Sequence, residues 1–302
     1  MGDQLRIVAP AKINLFLKIT GQRDDGYHDI ATLMQKVDLR DRLTLQRGGR
    51  GIRLRCPGSG LPEDETNLAH RAAAHFAARF LPASCLGERG VEIILEKKIP
   101  VAAGLGGGSS DAAAVLRGMQ HLFPEWKPRR EELEEAALSL GADVPFFLSS
   151  LPAAWATGIG ERLTAAVPLA GYALILVNPG ISVSTQWAYE NFALTSNKKK
   201  YNLIDYTVND PPFVRRAIEP HELRNDLEPV TAGRHGVITE IRELLRGHGA
   251  VAAMMTGSGP TVFGMFSDDD GGRQRAAQCG TLLRQRGLRV FEVQPLSQPG
   301  GR

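Results

Sequence analysis

The chain has 302 residues, 43% hydrophobic and 23% charged, and its 36 Lys and Arg against 33 Asp and Glu leave a formal net charge of +3. That length holds two modest domains, and so even a balance does not suggest a dominant nucleic-acid footprint, a local basic patch aside; a small acidic metabolite is the expected partner. Cys56, Cys85 and Cys279 lie far apart without C-x-x-C spacing, no apolar run nears the ~20 residues of a membrane span, and Met1-Gly-Asp-Gln-Leu-Arg6 lacks a signal-peptide core. The expectation is a soluble, cytoplasmic protein, monomeric or weakly dimeric, that binds neither nucleic acid nor membrane.

In chain order, residues 4–19 read as a strand in which Ile13, Leu15, Leu17 and Ile19 alternate with Lys12, Asn14, Phe16 and Lys18, so that Lys12 and Asn14 share a face. Strands are also predicted over 30–37, 42–47, 51–56 and 91–97, and helices over 67–80, 109–122 and 129–140. The acidic cluster Glu131, Glu132, Glu134 and Glu135 is a solvated face near a helix N-terminus. A second half restarts with the strand-like Tyr172–Val177, turns at Asn178-Pro-Gly180 and continues as a helix from about Thr185. Residues 195–214, with three consecutive lysines and Pro211-Pro212, read as an exposed connection. A helix over 237–246, strands over 251–256 and 261–266, a helix over 273–287 and a strand over 288–294 complete an α+β pattern. A soft boundary near residue 160, where Gly158 and Gly160 flank Ile159, divides the chain into domains 1–162 and 163–302, and the tail from Ser297 is expected to fray.

The stretch from Pro100 to Asp111 carries the chemistry. Gly104, Gly106, Gly107 and Gly108 fall within five residues, ahead of Ser109, read as an N-cap, and an alanine-rich helix. Glycines let successive N–H groups turn toward one centre, and a helix start adds partial positive charge, so a polyphosphate cradle is favoured over a plain turn. It is not a P-loop, because Ser109-Ser110 stand where lysine is required, and Gly21-Gln-Arg-Asp-Asp-Gly26 is followed by Tyr27-His28. Nor is it a dinucleotide fingerprint, since serine occupies the third glycine position; H-R-D and D-F-G are absent as well.

Pro10-Ala-Lys-Ile-Asn-Leu15, the glycine loop and Thr256-Gly-Ser-Gly-Pro-Thr261 occur in an order that resembles the GHMP kinase superfamily, named for galactokinase, homoserine kinase, mevalonate kinase and phosphomevalonate kinase. Ala9–Leu17, Thr20-Gly-Gln-Arg-Asp-Asp-Gly-Tyr-His28 and Gly141-Ala-Asp-Val-Pro-Phe146 are similar to its branch that acts on a cytidine diphosphate-linked methylerythritol in the non-mevalonate route to isoprenoid precursors. The resemblance runs from about residue 6 to about residue 293. It implies a ribosomal-protein-S5-like N-terminal domain, a ferredoxin-like C-terminal domain, and transfer of the ATP γ-phosphate, with Mg2+, to a tertiary 2-hydroxyl. Two alternatives remain: another small-molecule kinase of homoserine or mevalonate type, or a non-catalytic nucleotide-binding regulator. Gly26-Tyr27-His28 argues against the first, since an acceptor without a base needs no stacking slot, and Lys12 with Asp143 argues against the second.

The resemblance makes Asp143 the group that accepts the hydroxyl proton and Lys12 the lysine that polarises the acceptor oxygen. Read without it, Asp143 is an Asx-turn aspartate in a loop between a C-capping Gly141 and an extended Val144-Pro145, and Lys12 is equally a snorkelling edge-strand lysine. Asn14 contacts substrate or satisfies backbone. Tyr27 and His28 match positions that grip cytosine, Tyr189 matches a second aromatic wall with Trp187 as its rival in register, and Thr185 is a further substrate contact. Pro100, Val101, Ala102, Ala103, Gly104, Leu105, Gly106, Gly107, Gly108, Ser109 and Ser110 wrap the triphosphate by the same resemblance, while Lys97 or Asn67 contacts adenosine. Gly257 and Ser258 form a second backbone nest near substrate or a simple hairpin turn. No metal ligand is assigned: Asp111 reads first as a first-turn aspartate stabilising its own helix, and second as metal-associated.

Overall fold

The computed structural model describes residues 4–88, 90–196 and 214–298. Two long strands, β1 (Gln4–Gln22) and β2 (His28–Arg47), pair antiparallel from Gln4 opposite Gln46 to Gln22 opposite His28. The two strands predicted over 30–37 and 42–47 are therefore one element. Pro10 pairs with Arg40 and Ala11 with Val37, so Asp38 and Leu39 are extra residues on β2, and the apolar pattern lapses where the strand bulges.

The first half continues with β3 (Ile52–Arg55), α1 (Leu68–Phe80), α2 (Cys85–Glu88), β4 (Val91–Glu96), α3 (Gly107–Leu122), α4 (Arg130–Leu140), α5 (Val144–Leu148), β5 (Ala153–Thr157) and β6 (Arg162–Ala165). Its sheet runs β3-β4-β2-β1, with β5 also on β2 and β6 on β5. A boundary after residue 162 thus falls inside β6. Helix α3 lies across β1 and β2 so closely that a Cβ on Gly118 would come within 2.5 Å of Leu45. The second half comprises β7 (Tyr172–Asn178), α6 (Thr185–Ser196), β8 (Arg224–Asn225), α7 (Glu228–Arg234), α8 (Val237–Gly247), β9 (Ala252–Met255), β10 (Val262–Ser267), α9 (Asp270–Gln285) and β11 (Arg289–Val293). The antiparallel order β11-β7-β10-β9 is the expected ferredoxin-like one, with Ile238, Ile241 and Leu245 of α8 and Cys279 and Leu283 of α9 buried with it. Most of the connection predicted over 195–214, and the tail from Pro299, lie outside the described residues.

Strict alternation along β1 does not survive: residues 11–17 are buried on both faces. Ala9 packs into the core beneath α3, whereas Ala11, Ile13, Leu15 and Phe16 pack against Leu174, Leu176, Met254 and Phe263 of the second sheet. A strand with both faces covered loses the polar half of its period. Among the described residues no helix is long and apolar enough to cross a membrane.

The halves are sewn together by short pieces that carry too little pattern to predict. The two-residue β8 adds in parallel to β1, Leu17 opposite Asn225, and Pro295 bridges Val37. The Gln35 amide donates to the Leu296 carbonyl and accepts from the Leu169 N–H. Asn225 donates to the carbonyls of Met255 and Gly257, each at 2.8 Å, and accepts from the Leu227 N–H at 3.0 Å. Asn225→Ala removes all three bonds, and at roughly 1 kcal/mol for each it should lower the unfolding free energy in urea by about 2–4 kcal/mol. An unchanged midpoint would show that the loop after β9 is held without it.

Candidate functional site

Lys12 and Asn14 leave β1 on one side, as their spacing requires. Lys12 Nζ donates to Asn14 Oδ1 at 2.6 Å and stands 3.4 Å from Asp143 Oδ2. Asn14 Nδ2 donates to Thr32 Oγ1 of β2 at 2.8 Å, and that hydroxyl donates to the Phe16 carbonyl at 2.6 Å. Sequence reasoning missed Thr32, which only the strand register sets beside Asn14. Asp143 is not in an extended loop. It is the N-cap of α5 with α-region dihedrals, and Pro145 sits in the first helical turn, where its missing N–H breaks no bond. Gly141 ends α4 as expected.

The glycine loop crosses in front of this group, and its glycines serve different ends. A Cβ on Gly104, at φ +74°, would lie 2.3 Å from the Thr256 carbonyl oxygen, so this glycine is where the loop touches the segment after β9. A Cβ on Gly106 would lie 2.7 Å from the Phe147 ring. Gly106, at φ +68°, is itself the N-cap of α3, which has no side-chain cap. Ser109 is thus the third residue of the helix and not its N-cap, because the left-handed turn at Gly106 starts the helix earlier. The uncapped first turn opens onto the cleft, where its N–H groups are available to an anion. Leu105 and Ser110, expected to wrap the same ligand, are buried and lie off the cleft wall.

Asp111 is likewise not a first-turn residue. It is buried in the second turn, 2.7 Å from Lys97 Nζ, and Lys97 also pairs with the fully buried Asp41. Asp41 further accepts from the Ile99 N–H at 2.9 Å and from the Lys98 N–H. One ammonium therefore serves two carboxylates. Burial raises the Asp111 carboxyl to about 7 against the pull of Lys97, and its Oδ1 has no partner. Against the lowering effect of burial, Asp111 and Asp41 raise the Lys97 ammonium. Asp41, too, escaped sequence reasoning, since nothing along the chain ties it to a loop some sixty residues on. Asn67, the other expected adenosine contact, spends its side chain on capping α1, accepting from the Ala69 N–H at 3.0 Å and donating to the Pro62 carbonyl at 2.8 Å.

At the far end, His28 stacks on Tyr189, ring centroids 5.3 Å apart and planes at 27°. Tyr189 is one turn beyond Thr185 on α6, so both face the cleft, while Trp187 lies on another side under the Arg234 guanidinium. Thr185 Oγ1 meets Ser258 Oγ at 3.0 Å, and Gly257 follows the turn out of β9. Burial lowers the His28 imidazole, leaving it neutral with Nε2 unpartnered; burial and the Asp143 charge raise the Tyr189 phenol. Tyr27 is 61% exposed at the rim. One cleft of about 1190 Å³ joins these groups, lined by the catalytic candidates, the glycine loop, Lys97, Asn67 and the aromatic end.

Residues 67–150 match the GHMP kinases N terminal domain and residues 214–281 the GHMP kinases C terminal domain. The chain is 46% identical over 283 residues to the 4-diphosphocytidyl-2-C-methyl-D-erythritol kinase of Syntrophus aciditrophicus (strain SB), covering 94% of this chain and 96% of the relative. It is also 46% identical over 292 residues to the enzyme of that name from Syntrophotalea carbinolica, covering 96% and 98%. A crystal structure of 4-(cytidine 5'-diphospho)-2C-methyl-D-erythritol kinase superposes with a TM-score of 0.76 at 33% identity, covering 98% of this chain and all of the other.

The buried triad behind the loop yields a stability test. Lys97→Met leaves Asp41 and Asp111 facing each other without a cation, and breaking a buried pair in this way costs about 3–5 kcal/mol. Denaturant unfolding at pH 8 should show that loss. A change under about 1 kcal/mol would mean that a proton shared by Asp41 and Asp111 takes the place of the lost cation.

Proposed function

The chain belongs to the GHMP kinases, in the family of the 4-diphosphocytidyl-2-C-methyl-D-erythritol kinases, and on that premise we propose that Lys12 and Asp143 catalyse its reaction. It is an ATP-dependent phosphotransferase that phosphorylates the 2-hydroxyl of 4-diphosphocytidyl-2-C-methyl-D-erythritol in isoprenoid precursor synthesis. The observation that carries the catalytic reading is the Lys12–Asp143 pair, at 3.4 Å, in the same cleft as the uncapped N-terminus of α3.

The acceptor hydroxyl oxygen bonds to the γ-phosphorus as the bond to the β,γ-bridging oxygen breaks, and ADP leaves with that electron pair. Asp143 takes the hydroxyl proton. A carboxylate is a weak base toward an alcohol, but in a loose transition state the proton departs late and orientation matters more. Lys12, fixed by Asn14, offers its charge to the acceptor oxygen and the transferring phosphoryl group. The first-turn N–H groups of α3 hold the phosphates.

Mg2+ would fit this cleft together with the phosphates of ATP. Among the described residues no three His, Cys, Asp or Glu side chains stand together to cage a metal. Asp111, whose buried Oδ1 has no partner, and Ser109 are cleft-lining residues that would hold it. Bound there, the ion would neutralise charge that develops on the phosphates.

We assign the cytosine to the end formed by Tyr27, His28 and Tyr189. An imidazole held flat against a phenol on the cleft wall is assigned to one edge of the base, and Tyr27 at the rim to a ring face. Thr185, Gly257 and Ser258 line the same cleft and are assigned to the acceptor.

Measuring ADP release with the cytidyl acceptor, its uridyl analogue, homoserine and mevalonate tests the whole reading. Only the cytidyl compound should turn over efficiently, and Asp143→Asn should slow it by about 10²- to 10⁴-fold while still binding both substrates. Comparable turnover of homoserine or mevalonate, or a near-normal rate in the variant, would reject it.

For the base slot, Tyr27→Ala should lose about 1–3 kcal/mol of acceptor binding and Tyr27→Phe much less. His28→Ala should narrow the preference for cytidyl over uridyl acceptor without changing ATP affinity. Calorimetric titration separates these effects, and an unaltered base preference would place the cytosine elsewhere.

A further inference from the structure

Helix α5, which carries Asp143 at its N-cap, has only five residues, far too few to persist by itself. Its first intrahelical bond, from the Phe147 N–H to the Asp143 carbonyl, is long at 3.4 Å. The carbonyls of Pro145, Phe146, Phe147 and the C-cap Ser149, by contrast, are each engaged. Ser149 N–H and Oγ–H donate to the carbonyls of Pro145 and Phe146 at 2.9 and 2.7 Å. Arg117 of α3 donates to the Phe147 carbonyl at 2.9 Å, and Lys36 of β2 donates to the Ser149 carbonyl at 2.8 Å.

Lys36 is an unusual residue to find there. It is 5% exposed, and none of the ion pairs among the described residues includes it. A buried ammonium without a carboxylate is costly, and burial followed by the nearby Arg117 charge lowers this one to about 7. Its compensation comes from the Ser149 carbonyl, the negative end of the α5 dipole and the Phe146 ring, whose centroid is 4.8 Å away. Lys36 is also the direct cross-strand partner of Lys12. Partners in an antiparallel pair point to the same side, so adjacent lysines on β1 and β2 hold opposite ends of one helix: Lys12 at Asp143 and Lys36 at Ser149. Between them the Phe147 ring packs on Gly106 of the phosphate loop.

We infer that Lys36, with Arg117, is a positioning residue that clamps the C-terminal end of α5 and thereby sets the placement of Asp143 against the acceptor hydroxyl. This rests on Asp143 being the proton acceptor. Lys36 is behind the helix and off the cleft wall, so it acts through the helix and touches no substrate. Displacing a catalytic group by about 1 Å can cost on the order of 100-fold in rate, with substrate binding spared.

The test measures kcat and both KM values for Lys36→Met, Lys36→Arg, Asp143→Asn and the Lys36→Met/Asp143→Asn double variant, with the unfolding midpoint of each. Lys36→Met should lower kcat by about 10- to 100-fold with KM for ATP and acceptor held within about twofold, and Lys36→Arg should recover most of the rate. The double variant should be no slower than Asp143→Asn alone by more than about twofold, because a clamp has nothing left to position. Should Lys36→Met fail to fold, Lys36→Gln, which keeps an N–H donor without the charge, takes its place. A kcat within about twofold of wild type in either variant, or fully multiplicative losses in the double variant, overturns the inference. A near-normal rate in Asp143→Asn alone is a different failure: it removes the proton-acceptor assignment, and the clamp with it.

Discussion

The register between β1 and β2 is the constraint on which the cleft depends. Side chains alternate with a period of two, so a slip of one residue would turn Lys12 and Asn14 away from Asp143 and send Ile13 into the cleft. Irregular register between Asn14 and Phe16 resolves a conflict in the same few residues. It lets Lys12 and Asn14 face polar partners while Leu15 and Phe16 both enter the core shared with the second sheet. The second domain is attached to this same strand through β8, opposite Phe16 and Leu17, so the two walls of the cleft share one support.

Three buried lysines surround the site, and each is satisfied differently. Lys97 has two carboxylates, Lys12 has one together with an amide oxygen, and Lys36 has only a carbonyl and a ring. The triad of Asp41, Lys97 and Asp111 sets two carboxyls against one ammonium at the back of the glycine loop. On the cleft side the positive potential comes from the uncapped first turn of α3, with its partial charge of about +0.5, and from Lys12. Asp111 keeps one oxygen without a partner, whereas Asp143 has Lys12 at 3.4 Å.

Much of the site was legible because its chemistry is local. The glycine run implies a close approach by its residue types alone, whereas Lys12, Asn14, Tyr27, His28 and Asp143 stand in short segments singled out by the family resemblance. What escaped was what depends on distant partners: Thr32 beside Asn14, Asp41 beneath Lys97, and Lys36 and Arg117 at the end of α5. The glycines show the same division. Four together announce a backbone that must approach something closely, but only the fold shows that Gly104 approaches the Thr256 carbonyl and Gly106 the Phe147 ring.

By itself the sequence determined the two α+β halves, the order of nearly every long helix and strand, and the segments from which a kinase site is assembled, because apolar periodicity and turn residues are read over a few neighbouring positions. Tertiary structure alone decided the pieces of two to seven residues, β5, β6, β8, α5 and α7, whose patterns are too short to register and which form only because other elements complete their hydrogen bonds. It also decided that the aromatic facing His28 is Tyr189 and not Trp187, since a helix turns about 100° per residue and only the docking of α6 chooses the face that looks into the cleft.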